Sequence, residues 1–411
     1  MNHHNLILFI LQICVMLAVA MAFGQVMRKF HQPAVLGELI GGVLLGPTIF
    51  GILAPNSYTW LFPVEGTVAL GREAIIKIGM LFFLFSAGLE VNLNNLRHRG
   101  LTIVMISLTG SLIPFALGYG SVLLLPELWG SQAHDETQIF ALFIGTALSI
   151  SALPVIARIL LDIELINKEI GGIIMTSAII IDLFGWSLFA IILSVLDPNS
   201  PHRSLGVTLS FVVGFSVLIL VSGRWLGQPL LRWARASLAW PSGFIGVVTV
   251  IVLASASLAE TIGVHGIFGA FIVGIALNRS LDFEGKNHAH EIIHQFAVSF
   301  FAPLYFVSVG LKADFAANFD LPLVLLIIGI ASLGKIGGAG LGAWLGKMSF
   351  REALAVGFGL NARGAMEMIL ALVALEYGLI DHRVFVALVV MALVTSMLSG
   401  PILKQLYPPR K

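Results

Sequence analysis

The sequence predicts an all-α polytopic membrane protein of about 13 transmembrane helices, and three observations carry that expectation. Only 11% of the 411 residues are charged and 58% are hydrophobic, whereas soluble domains carry about 25% charged residues. Apolar runs recur along the whole chain at the length needed to cross a bilayer, about 20 residues of helix. The lysines and arginines between these runs fall mainly on alternate connections, as the positive-inside rule requires. The 43 glycines fit as well, because small residues let membrane helices approach closely. A net charge of +1 gives no footprint for nucleic acid, and the single cysteine, Cys14, excludes an internal disulfide framework.

Taken in order, the runs fall at 5–27, 33–53, 67–90, 101–125, 138–161, 170–196, 206–227, 243–262, 264–278, 292–311, 321–345, 352–376 and 383–405. Ala20-Met21-Ala22 looks like a signal-peptide cleavage site, but Met1–Asn5 holds no Lys or Arg. The basic n-region is missing, so 5–27 is expected to be a retained first span. With the N-terminus outside, sixteen of the 23 basic residues fall on inner connections or the C-terminus, among them Arg28, Lys29, Arg232, Arg235 and Arg351. Only Arg72, Arg203, Lys312 and Arg383 fall outside, and Lys77, Lys335 and Arg363 lie within spans. The expectation is an odd number of spans in the inner (plasma) membrane, N-terminus outside and C-terminus cytoplasmic. Only a few residues follow the last run, so no cytoplasmic regulatory domain is expected. Residues 1–411 read as one membrane domain.

The third and tenth runs end alike. Phe85-Ser-Ala-Gly-Leu-Glu-Val-Asn-Leu93 is echoed by Val307-Ser-Val-Gly-Leu-Lys-Ala-Asp-Phe315. Seven spans is an odd offset, so the copies would run in opposite directions across the membrane. Inverted-topology repeats hold their substrate near the midplane. The first repeat would cover about 5–196 and the second about 243–405, with 206–227 as a linker span. The same offset pairs the fifth run with the twelfth, and both are interrupted. In the fifth, Ser149 and Ser151 stand just before Pro154; in the twelfth, Asn361, Arg363 and Gly364 crowd into one segment. Discontinuous spans at corresponding positions point to a transport site.

One carboxylate, Asp182, stands in the middle of the sixth run. An acid at that depth is costly and marks an ion or proton pathway; the plainer alternative is a protonated Asp hydrogen-bonded to a neighbouring helix. Lys335, in Ser332-Leu-Gly-Lys-Ile-Gly-Gly338, is expected to be its charge partner. Arg363 and Glu367 are four residues apart and are expected to form a structural ion pair. Glu38, Glu73, Lys77 and Glu260 read as packing or vestibule groups. His290-Glu291-Ile-Ile-His294, with His288 nearby, matches the H-E-x-x-H zinc-protease pattern. Its three fixed positions are weakly specific, and no third ligand motif follows, so an interfacial helix start is the preferred reading. No G-x-x-x-x-G-K-[ST] loop occurs. No metal, cofactor or enzymatic activity is expected.

At six stretches the chain resembles the monovalent cation:proton antiporter-2 family, Na⁺(K⁺)/H⁺ exchanger-like membrane proteins of bacteria. These are Pro33–Pro47, Leu81–Glu90, Ser149–Leu160, Ile262–Phe271, Pro303–Leu311 and Asn361–Glu367, in the family's order. The resemblance implies a core domain with two crossing broken helices, a dimerisation domain, a homodimer, and alternating access by movement of the core. Members of that family usually carry two tandem polar residues on the sixth span, often Asp-Asp. Here the first is Ile181 and only Asp182 remains. In the two-acid members a lysine matching Lys335 pairs with the first acid. Here Lys335 must pair with Asp182, sit neutral or find another acid.

The functional expectation is a secondary antiporter that exchanges Na⁺ or K⁺ for protons. Asp182 would bind either cation or proton, and Ser149, Ser151 and carbonyls near Pro154 would replace lost hydration oxygens. The alternatives are a cation-coupled organic anion symporter, with Arg363 as anion ligand, a non-transporting sensor, or an intramembrane zinc protease.

Overall fold

In the computed structural model the described residues are 2–30, 32–89, 96–135, 137–165, 168–196, 205–281 and 289–407. Among them the chain is almost entirely helical and contains no strand. The principal helices are α1 (His3–Lys29), α2 (Ala34–Leu45), α3 (Thr67–Leu89), α4 (Leu96–Leu124), α5 (Thr137–Ser149), α6 (Leu153–Asp162), α7 (Glu169–Leu196), α8 (Leu205–Ser222) and α9 (Gln228–Ser237). They continue with α10 (Ser242–Thr261), α11 (Gly266–Leu281), α12 (Ala289–Phe296), α13 (Ala302–Lys312), α14 (Leu321–Leu345), α15 (Phe350–Leu360), α16 (Ala365–Glu376) and α17 (His382–Leu406). Every apolar run in the sequence falls on one of these helices or on a pair of them. Nine helical stretches among the described residues are individually long and apolar enough to cross a membrane. The fifth and twelfth runs fall short because each is split, into α5 and α6 and into α15 and α16.

Two compact units emerge, and each draws on both halves of the chain. One comprises Met1–Ala18, Thr59–Asn92 and Leu193–Ser308; the other comprises Val19–Tyr58, Leu93–Ile192 and Val309–Lys411.

In the first unit, α3 and α11 touch backbone to backbone through glycines. A Cβ on Gly88 would strike the Phe271 carbonyl, and one on Gly274 would strike that of Phe85. In the second unit, a Cβ on Gly310 would strike the Leu39 carbonyl and come within 2.6 Å of the Val43 nitrogen on α2. Gly88 and Gly310 are the matching glycines of the echoed motif. The third run thus crosses the ninth as the tenth crosses the second, which is the pairing that an offset of seven demands. The echoed glycine thus makes the close helix crossing in each unit.

Within the second unit α14 lies hard against α4. Gly334, Gly338 and Gly342 recur every fourth residue on α14, where a Cβ would come within 2.8 Å of Pro114 Cα, 2.6 Å of the Thr109 oxygen and 2.6 Å of Ile106 Cα. Small residues at that spacing let two membrane helices meet at van der Waals distance. Lys335 sits in this stripe, so close packing carries its side chain inside rather than to the membrane face. The polar ends of the helices are capped conventionally. Asp320 accepts from the Leu323 N–H, Asp381 from the Val384 N–H, and Ser349 with Glu352 forms a capping box on α15. Arg383 ties two of these caps together by donating to Asp320 at 2.9 Å.

Candidate functional site

The two interrupted spans meet at their breaks. Ser151 Oγ donates to the Leu360 carbonyl at 2.8 Å, and the Ala152 N–H donates to the Ala362 carbonyl at 3.0 Å. Each break frees backbone groups that hydrocarbon cannot satisfy, and each supplies partners to the other. Pro154 is the second residue of α6, where its missing N–H removes nothing from the helix. Gly364 is the N-cap of α16, and a Cβ there would lie 2.7 Å from Val155 Cγ2 on α6. Only glycine lets the two breaks approach this closely.

Helix ends carry partial charges of opposite sign, and the ionisable residues sort accordingly. α5 ends inside the second unit with its last carbonyls directed at two cations. Arg363 donates to the Ala147 carbonyl at 2.9 Å and to that of Leu148 at 2.6 Å. Lys335 Nζ donates to the Ser149 carbonyl and, at 3.0 Å, to that of Gly110 on α4. Asp182, carried by α7, lies at the other polarity, beside the backbone N–H groups of Ser151 and Leu153 that open α6. Both N–H groups point at the carboxylate, but neither reaches full hydrogen-bond geometry, and no side chain among the described residues pairs with either oxygen.

Lys335 and Asp182 are electrostatic neighbours, but they form no ion pair among the described residues; the ammonium is held by carbonyls instead. Ile181 lies at the same place. It faces α4 beside Gly110, whose added Cβ would lie 3.6 Å from Ile181 Cδ1. Where the resemblance implies a first acid, this chain presents an apolar side chain, and the Gly110 carbonyl supplies the oxygen that Lys335 needs. Arg363 and Glu367 meet at 3.1 Å with side chains 0% and 2% exposed.

The hydroxyls of Ser149 and Ser151 both spend their protons on carbonyls, those of Thr146 and Leu360. Their oxygen lone pairs remain. Asn361 caps the end of α15, its own N–H bonded to the Gly357 carbonyl. Sequence reasoning did not find Ser396 on α17, whose Oγ accepts from the Arg363 N–H at 3.1 Å and donates to the Arg363 carbonyl. Nor did it find the carbonyls of Gly110, Ala147 and Leu148, since backbone atoms leave no residue-type signal.

Of the H-E-x-x-H segment, the side chains of Glu291 and His294 are described and that of His290 is not. His294 Nδ1 is bonded to Ser86 Oγ at 2.9 Å, and Glu291 is exposed and accepts from Gln295. Among the described residues no three His, Cys, Asp or Glu side chains cluster as metal ligands. His288 lies outside the described residues. Glu260 is a cap, accepting from the Gly266 N–H at 2.7 Å where α11 begins. Glu38 is buried in α2, with Oε2 lacking a partner.

Residues 15–407 match the family described as "Sodium/hydrogen exchanger, transmembrane". Cation/H(+) antiporter 18 of Arabidopsis thaliana is 34% identical over 98% of this chain and 49% of its own length. The Na(+)/H(+) antiporter NhaS4 of Synechocystis is 30% identical over 99% of both chains. K(+)/H(+) antiporter 1 of Saccharomyces cerevisiae is 31% identical over 99% of this chain and 47% of its own length. The chain thus spans about half the length of the plant and yeast relatives. In fold it is similar to the sodium proton antiporter MjNhaP1 of Methanocaldococcus jannaschii, with TM-score 0.65, 19% identity and coverage of 97% of this chain and 96% of that one.

Proposed function

The chain belongs to the sodium/hydrogen exchanger family, and from that premise we propose that it exchanges a monovalent cation, Na⁺ or K⁺, for protons at Asp182. The observation that carries this reading is a buried carboxylate with no committed partner, set at the positive end of a half-helix. A carboxylate in that position takes either a proton or a cation, and each neutralises it. Both neutralised forms can change access, whereas the bare anion is held back by the cost of burying a charge. Ser149 and Ser151 offer oxygen lone pairs to a partly dehydrated ion, as hard cations prefer. Their donated hydrogen bonds hold the two half-helices in register around it.

Exchange at one carboxylate is one cation for one proton, and electroneutral. In this reading Lys335 keeps its proton through the cycle, held by the carbonyls of Ser149 and Gly110, and so does not alter that count. Arg363 does not act as an anion ligand in this reading, being already committed to two carbonyls and to Glu367. That disfavours organic anion symport. The protein acts as a transporter rather than an enzyme. It is proposed to work as a homodimer in the inner membrane, N-terminus outside, with repeats over 5–196 and 243–405 joined by the span at 206–227.

Competition for one carboxylate has a kinetic signature. In proteoliposomes carrying an internal pH dye, a pulse of Na⁺ or K⁺ is expected to drive proton movement. The half-saturating cation concentration should rise as pH falls, towards tenfold per unit once protons dominate the site, while the maximal rate holds. Proton movement independent of either cation, or a half-saturation constant that ignores pH, contradicts a shared site.

A further inference from the structure

Buried polar atoms are paired almost everywhere in folded proteins, and one left unpaired keeps its full desolvation cost. Around the crossing of the broken helices several buried side-chain oxygens lack a partner among the described residues. Among them are Oδ1 and Oδ2 of Asp182, Oδ1 of Asn361, Oγ of Ser177 and Oε2 of Glu367, whose other oxygen is held by Arg363. Asn361 is 3% exposed and Ser177 is 0% exposed.

Chain geometry brings Asp182 and Asn361 to the same crossing. α7 touches the break of the fifth run where Gly185 meets Ile150, and it touches the end of α15 where Ile174 meets Gly359. At about 1.5 Å per residue these anchor points are roughly 16 Å apart, and Ser177 and Asp182 lie between them. Asn361 sits between Leu360 and Ala362, the two residues whose carbonyls receive Ser151 Oγ and the Ala152 N–H. Ser151 also presents its N–H to Asp182. The Asn361 amide nitrogen reaches Ser332 Oγ at 3.5 Å, so the amide turns its oxygen, not its nitrogen, to the uncommitted side. With Glu367 offset by Arg363, a carboxylate accompanied by neutral amide and hydroxyl oxygens suits a hard monovalent cation better than an anion.

We propose that Asn361 Oδ1 is a direct neutral ligand of the cation taken up at Asp182 and sets which monovalent cation is preferred. This rests on the exchange reading above. A carboxylate alone distinguishes cations poorly, whereas a fixed amide oxygen opposite it defines both the ligand number and the size of the site. The proton needs no such ligand, so Asn361 bears on the cation half of the cycle only.

The test is proton flux in proteoliposomes driven in turn by LiCl, NaCl and KCl, for wild type, Asn361→Ala and Asn361→Asp. Asn361→Ala is expected to raise the half-saturating concentration of the preferred cation about tenfold, to compress the ratios among the three ions, and to leave the maximal rate within about threefold. Asn361→Asp keeps an oxygen of the same reach but makes it anionic, and is expected to lower half-saturation and to shift the ratios among the three ions. If Asn361→Ala fails to fold, the Asp variant decides: unchanged half-saturation together with unchanged ion ratios overturns the proposal. The same pair of unchanged values in a folded Asn361→Ala does so as well, and assigns the vacant acceptor to water. Absence of cation-driven flux in wild type would instead overturn the exchange reading itself.

Discussion

Asp182→Asn is expected to reduce cation-driven proton movement to the level of protein-free vesicles while leaving the folded chain intact. The amide is nearly isosteric with the acid but takes up no proton and offers no charge to a cation, so neither half of the cycle can run. Folding should survive because the carboxylate is in no ion pair among the described residues, and the amide oxygen can still accept from the flanking Ser151 and Leu153 N–H groups. An uncharged side chain also removes the desolvation cost of a buried anion. The variant should therefore melt at or above the wild-type temperature in detergent. Stability retained with transport lost is a combination that a purely structural role for Asp182 would not produce. Full exchange in this variant contradicts the assignment outright.

Arg363→Ala carries the largest expected effect on stability. Its guanidinium closes the end of α5 through two carbonyls and neutralises Glu367, with both side chains buried. Removing one partner of a buried pair costs about 3–5 kcal/mol, because the other charge is left uncompensated. Two orphaned carbonyls add to that loss. Thermal melting in detergent should show a large drop. The double variant Arg363→Ala, Glu367→Gln should recover part of it, since the stranded charge is then gone. A double variant no better than the single one would mean that the carbonyl bonds, not the ion pair, carry the effect; a single variant as stable as wild type would contradict both.

Much of this was legible in the chain because hydrocarbon simplifies the physics. Helices are forced wherever apolar residues run long enough to span, so the run at 170–196 appears as Glu169–Leu196 and that at 321–345 as Leu321–Leu345. Proline before a polar cluster, or glycine with an amide and a guanidinium in one span, marks a helix that cannot continue. Both breaks were visible for that reason. The partners of Lys335 were not legible. Ionisable residue types are visible in a sequence, whereas the carbonyls of Gly110 and Ser149 are common to every residue and become ligands only when helices cross. The expectation that Asp182 is the charge partner of Lys335 weighed charge against charge and left out the ends of the half-helices and the helix crossings, whose carbonyls hold the ammonium. The contact units were equally hidden, because each is assembled from distant parts of the chain. Glycines that permit crossings, such as Gly88 and Gly338, show their purpose only when the opposing backbone is in place.

The central claim is that one carboxylate exchanges one cation for one proton while Lys335 stays out of the count. The most direct measurement is cation-driven proton flux in proteoliposomes with the membrane potential first clamped at zero and then imposed with either sign. The same measurement should be made on Lys335→Gln, whose amide nitrogen can still donate to carbonyls. The account predicts rates that do not respond to the potential in either protein, with Lys335→Gln remaining active. A wild-type rate that follows the potential and loses that dependence in Lys335→Gln would show that the lysine carries charge through the cycle, and would contradict the account.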